Sequence, residues 1–200
     1  MSEAIRRPRF TRAELESFNG ARVDDLLADP LRLLFVGINP GLWTAAVNAH
    51  FARPGNRFWP ALQLAGITPE RIDASGGLRP ADADLLRDRG IGITNLVPVA
   101  SARADELTLA QVRAGVGPLT ELVRRTRPQV VAMLGITSYR QAFGVRTAGP
   151  GRQPVDLAGA QLWVLPNPSG LNAHETAGSL ATAYRAAAVA AGVPVAEQPA

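Results

Sequence analysis

Four short apolar runs, each ending in a turn signal, divide the chain, and amphipathic or alanine-rich stretches separate them. The first is Leu33-Leu34-Phe35-Val36, which breaks at once into Gly37-Ile38-Asn39-Pro40-Gly41. Ile91–Leu96 running into Val97-Pro98, Gln129–Leu134 ended by Gly135, and Gln161–Pro166 have the same form. Continuous apolar runs of this length, bounded by Gly, Pro and Asn, read as strands buried on both faces. Thr11-Arg12-Ala13-Glu14 and Thr108-Leu109-Ala110-Gln111 have the form of capping boxes. The first opens a short helix, and the second a helix to about Arg127 with Pro128 as its stop. Further helices are expected over Arg57–Ala65, Pro80–Arg89, Ser138–Phe143 and Glu175–Ala191. Leu42–Asn56 reads as a long loop, and Thr147–Gln153, rich in Gly and Pro, as a mobile connection.

Strands alternating with helices predict an α/β fold: a single three-layer αβα domain with a mainly parallel central sheet. The expected organisation is a mobile basic arm and short helix over residues 1–29, one globular domain over 30–192, and a tail over 193–200.

Composition narrows the chemistry. The 200 residues contain no cysteine, so disulfides, thiolate nucleophiles and Cys-held metals or clusters are excluded. There is also no lysine, and all 21 basic residues are arginine. That removes Schiff-base chemistry by a lysine side chain and the lysine of a phosphate-binding Walker loop. With only His50 and His174, a His-rich metal site is not expected. No cofactor is called for. The net charge of +4 suits a polyanion such as nucleic acid, though modest positive charge is common. No apolar run reaches membrane-spanning length and no signal-peptide core is present, so a cytoplasmic protein without membrane contact is the expectation.

Two matching turns carry the functional signal. Asn39-Pro40-Gly41 follows the first strand, and Asn167-Pro168-Ser169-Gly170 follows the last. In a parallel sheet both lie on the edge where ligands bind. The intervening loop brings Phe51 and Asn56-Arg57-Phe58-Trp59 toward the same cleft. Carboxamides, backbone N–H groups and an aromatic face make a poor nucleophilic site but a good seat for a flat heterocycle such as a nucleobase.

The pieces Gly37-Ile38-Asn39-Pro40-Gly41, Phe51-Ala52-Arg53-Pro54-Gly55-Asn56-Arg57-Phe58-Trp59, Gly90-Ile91-Gly92-Ile93-Thr94-Asn95-Leu96-Val97 and Leu165-Pro166-Asn167-Pro168-Ser169-Gly170-Leu171 resemble, in order and spacing, the mismatch-specific uracil-DNA glycosylases. These are the thymine-DNA glycosylase-like branch of the uracil-DNA glycosylase superfamily. The resemblance runs from about Leu31 to Ala190. It implies a monomeric enzyme of base-excision repair acting on double-stranded DNA. Uracil or a related damaged or mismatched base, especially opposite guanine, is flipped out and its N-glycosidic bond hydrolysed, leaving an abasic site. Asn39 would position the water and Asn167 line the catalytic pocket. Phe51 would stack on the base, the backbone near Ile38 and Phe51 would read its edge, and Gly41, Thr44 and Asn95 would belong to the same base site. Ser169, Gly170 and Leu171 would form the loop entering the duplex, with Leu171 as wedge and Gly170 facing the widowed guanine.

Two positions depart from the pattern. Some relatives carry lysine where Asn95 stands, and some read Gly-Leu-Ser-Arg where this chain has Gly170-Leu171-Asn172-Ala173-His174. Asn172 or His174 would then take the place of the arginine that helps hold the opposite guanine. Two other classes compete. A Rossmann-like nucleotide-binding enzyme would need a Gly-x-Gly-x-x-Gly loop, which is absent here, and Pro40 would disrupt its helix start. A non-catalytic DNA-binding module would use the arginines and aromatics without releasing a base.

Overall fold

The strands β1 (Leu33–Gly37), β2 (Ile91–Asn95), β3 (Val130–Leu134), β4 (Gly151–Leu157) and β5 (Ala160–Leu165) form one sheet in the order β2-β1-β3-β5-β4. All neighbours are parallel except β4, which runs antiparallel to β5. The computed structural model describes residues 7–170 and 175–196.

Alternation along the strands sends side chains to two cores. Leu33 and Phe35 of β1, with Ile91, Ile93, Val130 and Ala132, pack under α3 (Phe58–Leu64), α4 (Pro80–Asp88) and α8 (Ala177–Ala190). Leu34 and Val36, with Val131, Met133, Leu162 and Val164, pack against α5 (Leu109–Ala114), α6 (Val116–Thr126) and α7 (Ile136–Phe143). A sheet buried on both faces needs apolar residues at both parities, which is why its strands read as unbroken apolar runs. The three-layer α/β arrangement expected from the alternation of elements is therefore the one observed.

Several elements differ from the pattern-based expectation. The helix expected from Thr108 to Arg127 is divided at Gly115, whose Cα sits against the Leu96 carbonyl; a Cβ there would lie 2.2 Å from that oxygen. Residues 42–46 of the expected long loop form a helical turn, α2 (Leu42–Ala46). The end of the Gly/Pro-rich connection is strand: residues 151–153 open β4, which lies at the sheet edge, where Pro154 removes no ladder bond the sheet requires. Ala158 and Gly159, both at positive φ, close the β4–β5 hairpin. The described end of the basic arm is anchored rather than free. Arg7 Nε donates to Ser75 Oγ at 3.1 Å, and Phe10 sets its edge on Trp43 ahead of α1 (Arg12–Glu16).

The connections leaving β1 and β3 run in opposite directions across the sheet, so the strand order reverses between these neighbours. The crevice at their carboxyl ends is the usual ligand site of such sheets.

Candidate active site

A cleft of about 330 Å³ opens at that switch point. Three carboxamides from three strand ends face it: Asn95 closes β2, Asn39 follows β1 and Asn167 follows β5. Ile38, Gly41, Thr44, Phe51 and Ser169 also line it. The structure thus brings together the candidates named from the sequence as far as Ser169. Gly170 lies at the exposed end of the same turn, outside the cleft wall. Leu171, Asn172 and His174 lie outside the described residues.

Asn39 is oriented by its nitrogen. Nδ2 donates to Ser101 Oγ at 2.8 Å and to Pro40 O at 3.0 Å, with Val99 O at 3.4 Å. Ser101 Oγ in turn donates to Arg103 O at 2.7 Å. A nitrogen held among acceptors fixes which end of the amide is which, and leaves Oδ1 to the cleft as an acceptor. Ser101 was not legible as a site residue: it stands 62 positions from Asn39, in a stretch with no motif of its own.

Gly41 is the N-cap of α2 at φ −79°, an ordinary conformation, and a Cβ there would meet nothing within 4 Å. The turn itself does not require glycine. What the missing side chain provides is open space beside the cleft. Thr44, one turn into α2, is buried against the cleft wall.

Phe51 is held at φ +54°, in the left-handed region that bulky residues rarely occupy. Its ring stacks on Phe58 with centroids 4.1 Å apart and planes 26° apart. Phe58 is itself fixed at the start of α3, where Asn56 Oδ1 accepts from its N–H at 2.9 Å. One face of Phe51 is thereby occupied, and the ring borders the cleft. Strain of this kind persists where the surroundings over-determine a conformation, and it clusters at functional sites.

The Asn167 turn is tied to the loop that precedes α3. Arg57 N–H donates to Pro168 O at 2.9 Å, and its guanidinium donates to Ser169 O at 3.1 Å and Gly170 O at 3.4 Å. Asn167 Oδ1 accepts from Ser169 N–H at 3.0 Å, closing an Asx turn. A Cβ on Gly170 would lie 2.7 Å from Gly55 O, so this close approach of two backbones needs glycine. Tyr184 of α8 reaches under the turn and donates its hydroxyl to Pro166 O at 3.3 Å.

Charge in the cleft is sparse. Asp105 is the one acidic residue on its wall among the described residues, and it is ion-paired with Arg103 at the rim. Arg53 also lines the cleft. His50 is buried in its wall, and desolvation lowers its pKa below the ordinary imidazole value against the opposing pull of the Asp24 carbonyl and the Asp25 and Asp24 carboxylates. Among the described residues no cluster of His, Cys, Asp and Glu could hold a metal.

Residues 25–191 match the family model of the Uracil DNA glycosylase superfamily. The chain belongs to that superfamily. The fold agrees: the solution NMR structure of a candidate uracil DNA glycosylase from Methanosarcina acetivorans superimposes with a TM-score of 0.57. The match covers 84% of this chain and 96% of that one at 17% identity. Within the superfamily fold, the cleft at the β1–β3 switch point is the candidate active site, and its wall carries strand-end amides, an aromatic ring and backbone.

Proposed function

We propose that this superfamily member is a monofunctional DNA glycosylase that removes uracil, and related damaged or mismatched bases, from double-stranded DNA by water attack. The observation that carries the reading is the orientation of Asn39. Its nitrogen is held on Pro40, Ser101 and the Val99 carbonyl, and its oxygen is left facing a cleft bordered by Phe51.

A base inside a duplex must leave the stack before its glycosidic bond can be reached. The flipped base would lie on the free face of Phe51, against the backbone near Ile38 and the side chains of Thr44 and Asn95. As the C1′–N1 bond lengthens, the sugar becomes oxocarbenium-like and the electron pair leaves with N1 of uracil. Donors aimed at the base oxygens stabilise that anion. Water held by Asn39 Oδ1 adds to C1′, and its proton passes to the departing base or to solvent. A carboxamide has no basic site in the neutral range, so Asn39 orients the water without deprotonating it. The turn at Asn167–Gly170, latched by Arg57, is the proposed entry element. Leu171 would fill the vacated stack, while Asn172 or His174 would meet the opposite guanine.

The test is a nicking assay on end-labelled duplexes carrying G·U, A·U, G·T and ethenocytosine, with alkali added to cut abasic sites. Alkali-dependent cleavage at uracil, strongest opposite guanine, is the expected result. Duplex binding without base release would favour a DNA-binding module instead.

A further inference from the structure

β2 stands at one end of the sheet, yet its outer side is not bare. Gly20, at φ +79°, turns the chain out of α1, and the stretch to Leu26 then runs antiparallel along β2 and the segment that follows it. Leu26 and Ile93 exchange two backbone hydrogen bonds, of 3.0 and 2.7 Å. Gly20 N–H donates to Ala100 O, and Ala100 N–H to Ala21 O, each at 2.8 Å. The opposite side of the same segment holds the Asn39 turn. Val97 N–H donates to Ile38 O at 2.9 Å and Ser101 N–H to Pro40 O at 3.2 Å, while Val99 O and Ser101 Oγ accept from Asn39 Nδ2. Residues 97–101 therefore lie between the N-terminal ribbon and the amide proposed to direct the water.

Side chains close the same gap. Val23, Ala45 and Ala100 form a small apolar cluster apart from the two main cores, and Phe18, Ala21 and Leu42 pack against it. Leu42 and Ala45 belong to α2, which continues from the Asn39 turn, and Ala100 immediately precedes Ser101. These two arms supply only one leucine and two alanines to the cluster. The bulk that keeps them at a fixed separation comes from Phe18 and Val23 of the N-terminal segment.

We propose that Phe18 is a positioning residue: through this cluster it fixes α2 against Ala100 and so sets the Asn39–Ser101 contact, although it stands outside the cleft. The inference rests on the glycosylase reading given above. A group that orients a reactant must be held to a fraction of an ångström, and a displacement imposed from a distance is costly in rate. Phe18→Ala leaves a void, the two arms shift to fill it, and the hydrogen bond from Asn39 Nδ2 to Ser101 Oγ loosens. Phe18 is not part of the cleft wall, so duplex binding should hold.

The experiment is single-turnover uracil release from a G·U duplex by the full chain, Phe18→Ala, Phe18→Leu, Ser101→Ala and the double variant Phe18→Ala/Ser101→Ala, with binding to the same duplex measured in parallel. Release is expected to slow by about threefold to tenfold in Phe18→Ala, the range of one lost neutral hydrogen bond, with binding within about twofold of wild type. Phe18→Leu, which restores most of the volume, should recover most of the rate. The double variant should release within about twofold of the slower single variant, because both act on one hydrogen bond; independent effects would multiply. In parallel NMR spectra the Asn39 side-chain amide signals should move in Phe18→Ala and those of Asn167 should not. A wild-type rate in Phe18→Ala, an equal loss of binding and release, or multiplied losses in the double variant overturns the proposal. Should Phe18→Ala fail to fold, Val23→Ala, a smaller deletion in the same cluster, is judged by the same criteria. No release by the wild type would overturn the glycosylase reading; the Asn39 amide signals then decide the positioning alone, and unmoved signals overturn it.

Discussion

Asn39 Nδ2 and Ser101 Oγ are 2.8 Å apart, and the Ser101 hydroxyl passes its own hydrogen to the Arg103 carbonyl. The amide proposed to direct the water is thus held by a side chain from the segment that follows β2. A neutral hydrogen bond of this kind contributes about 0.5–1.5 kcal/mol. Ser101→Ala should therefore slow single-turnover base release by about threefold to tenfold with duplex binding unchanged. Ser101→Thr, which keeps the hydroxyl, should recover most of the rate. A wild-type rate in Ser101→Ala would remove Ser101 from the account.

Thr44 tests how the cleft treats a 5-methyl group. It is buried in the short helix that follows Gly41, with its branched side chain on the cleft wall. Crowding by one methyl is worth only about 1–3 kcal/mol, so uracil should be preferred to thymine partially, not absolutely. Thr44→Ala should narrow the gap between G·U and G·T duplexes. Thymine release as fast as uracil release by the wild type would reject this role.

The sheet was legible where one kind of force decided the structure. β1, β2, β3 and β5 are buried on both faces, so their apolar runs stand out, and Asn-Pro turns mark the carboxyl ends of β1 and β5. β4 was not legible, because an edge strand carries polar residues and tolerates Pro154. The break at Gly115 depends on the Leu96 carbonyl, which local pattern cannot see. At the site, Asn39, Phe51 and Asn167 sit in motifs. Ser101 meets Asn39 from 62 positions away and His50 meets Asn95 from 45, contacts that only the folded chain makes.

His50 also gives the fold a pH signature. Its folded pKa is lowered, chiefly by burial, so the unfolded chain binds more protons than the folded one just below the ordinary imidazole value. Stability should be full above about pH 6.5 and should fall as the pH drops toward the lowered folded value. Carboxylates such as Asp73, held below the usual range mainly by the Ser75 hydroxyl, act only at more acid pH. Thermal unfolding followed against pH should show this limb in wild type and lose it in His50→Asn. Identical profiles would mean that the ring charges without cost.

The absence of lysine bears on the product. Glycosylases that also cut the backbone need a deprotonated amine close to C1′. Arginine stays protonated, and no lysine is present among the 200 residues. The product should be an intact strand bearing an abasic site, nicked only by added alkali or a separate endonuclease. Borohydride added during turnover on a uracil duplex should trap no protein–DNA adduct, and an efficient adduct would replace water by an amine as the attacking group.

The role of Asn39 is the centre of the account, and one comparison addresses it directly. Single-turnover uracil release from a G·U duplex is measured for wild type and Asn39→Ala, with binding to the same duplex measured in parallel. The expected result is binding within about threefold of wild type and release slower by about two orders of magnitude or more, the scale of a lost catalytic polar group. Release at the wild-type rate by Asn39→Ala would contradict it, because water would then reach C1′ without the carboxamide that the Ser101 hydrogen bond holds in place.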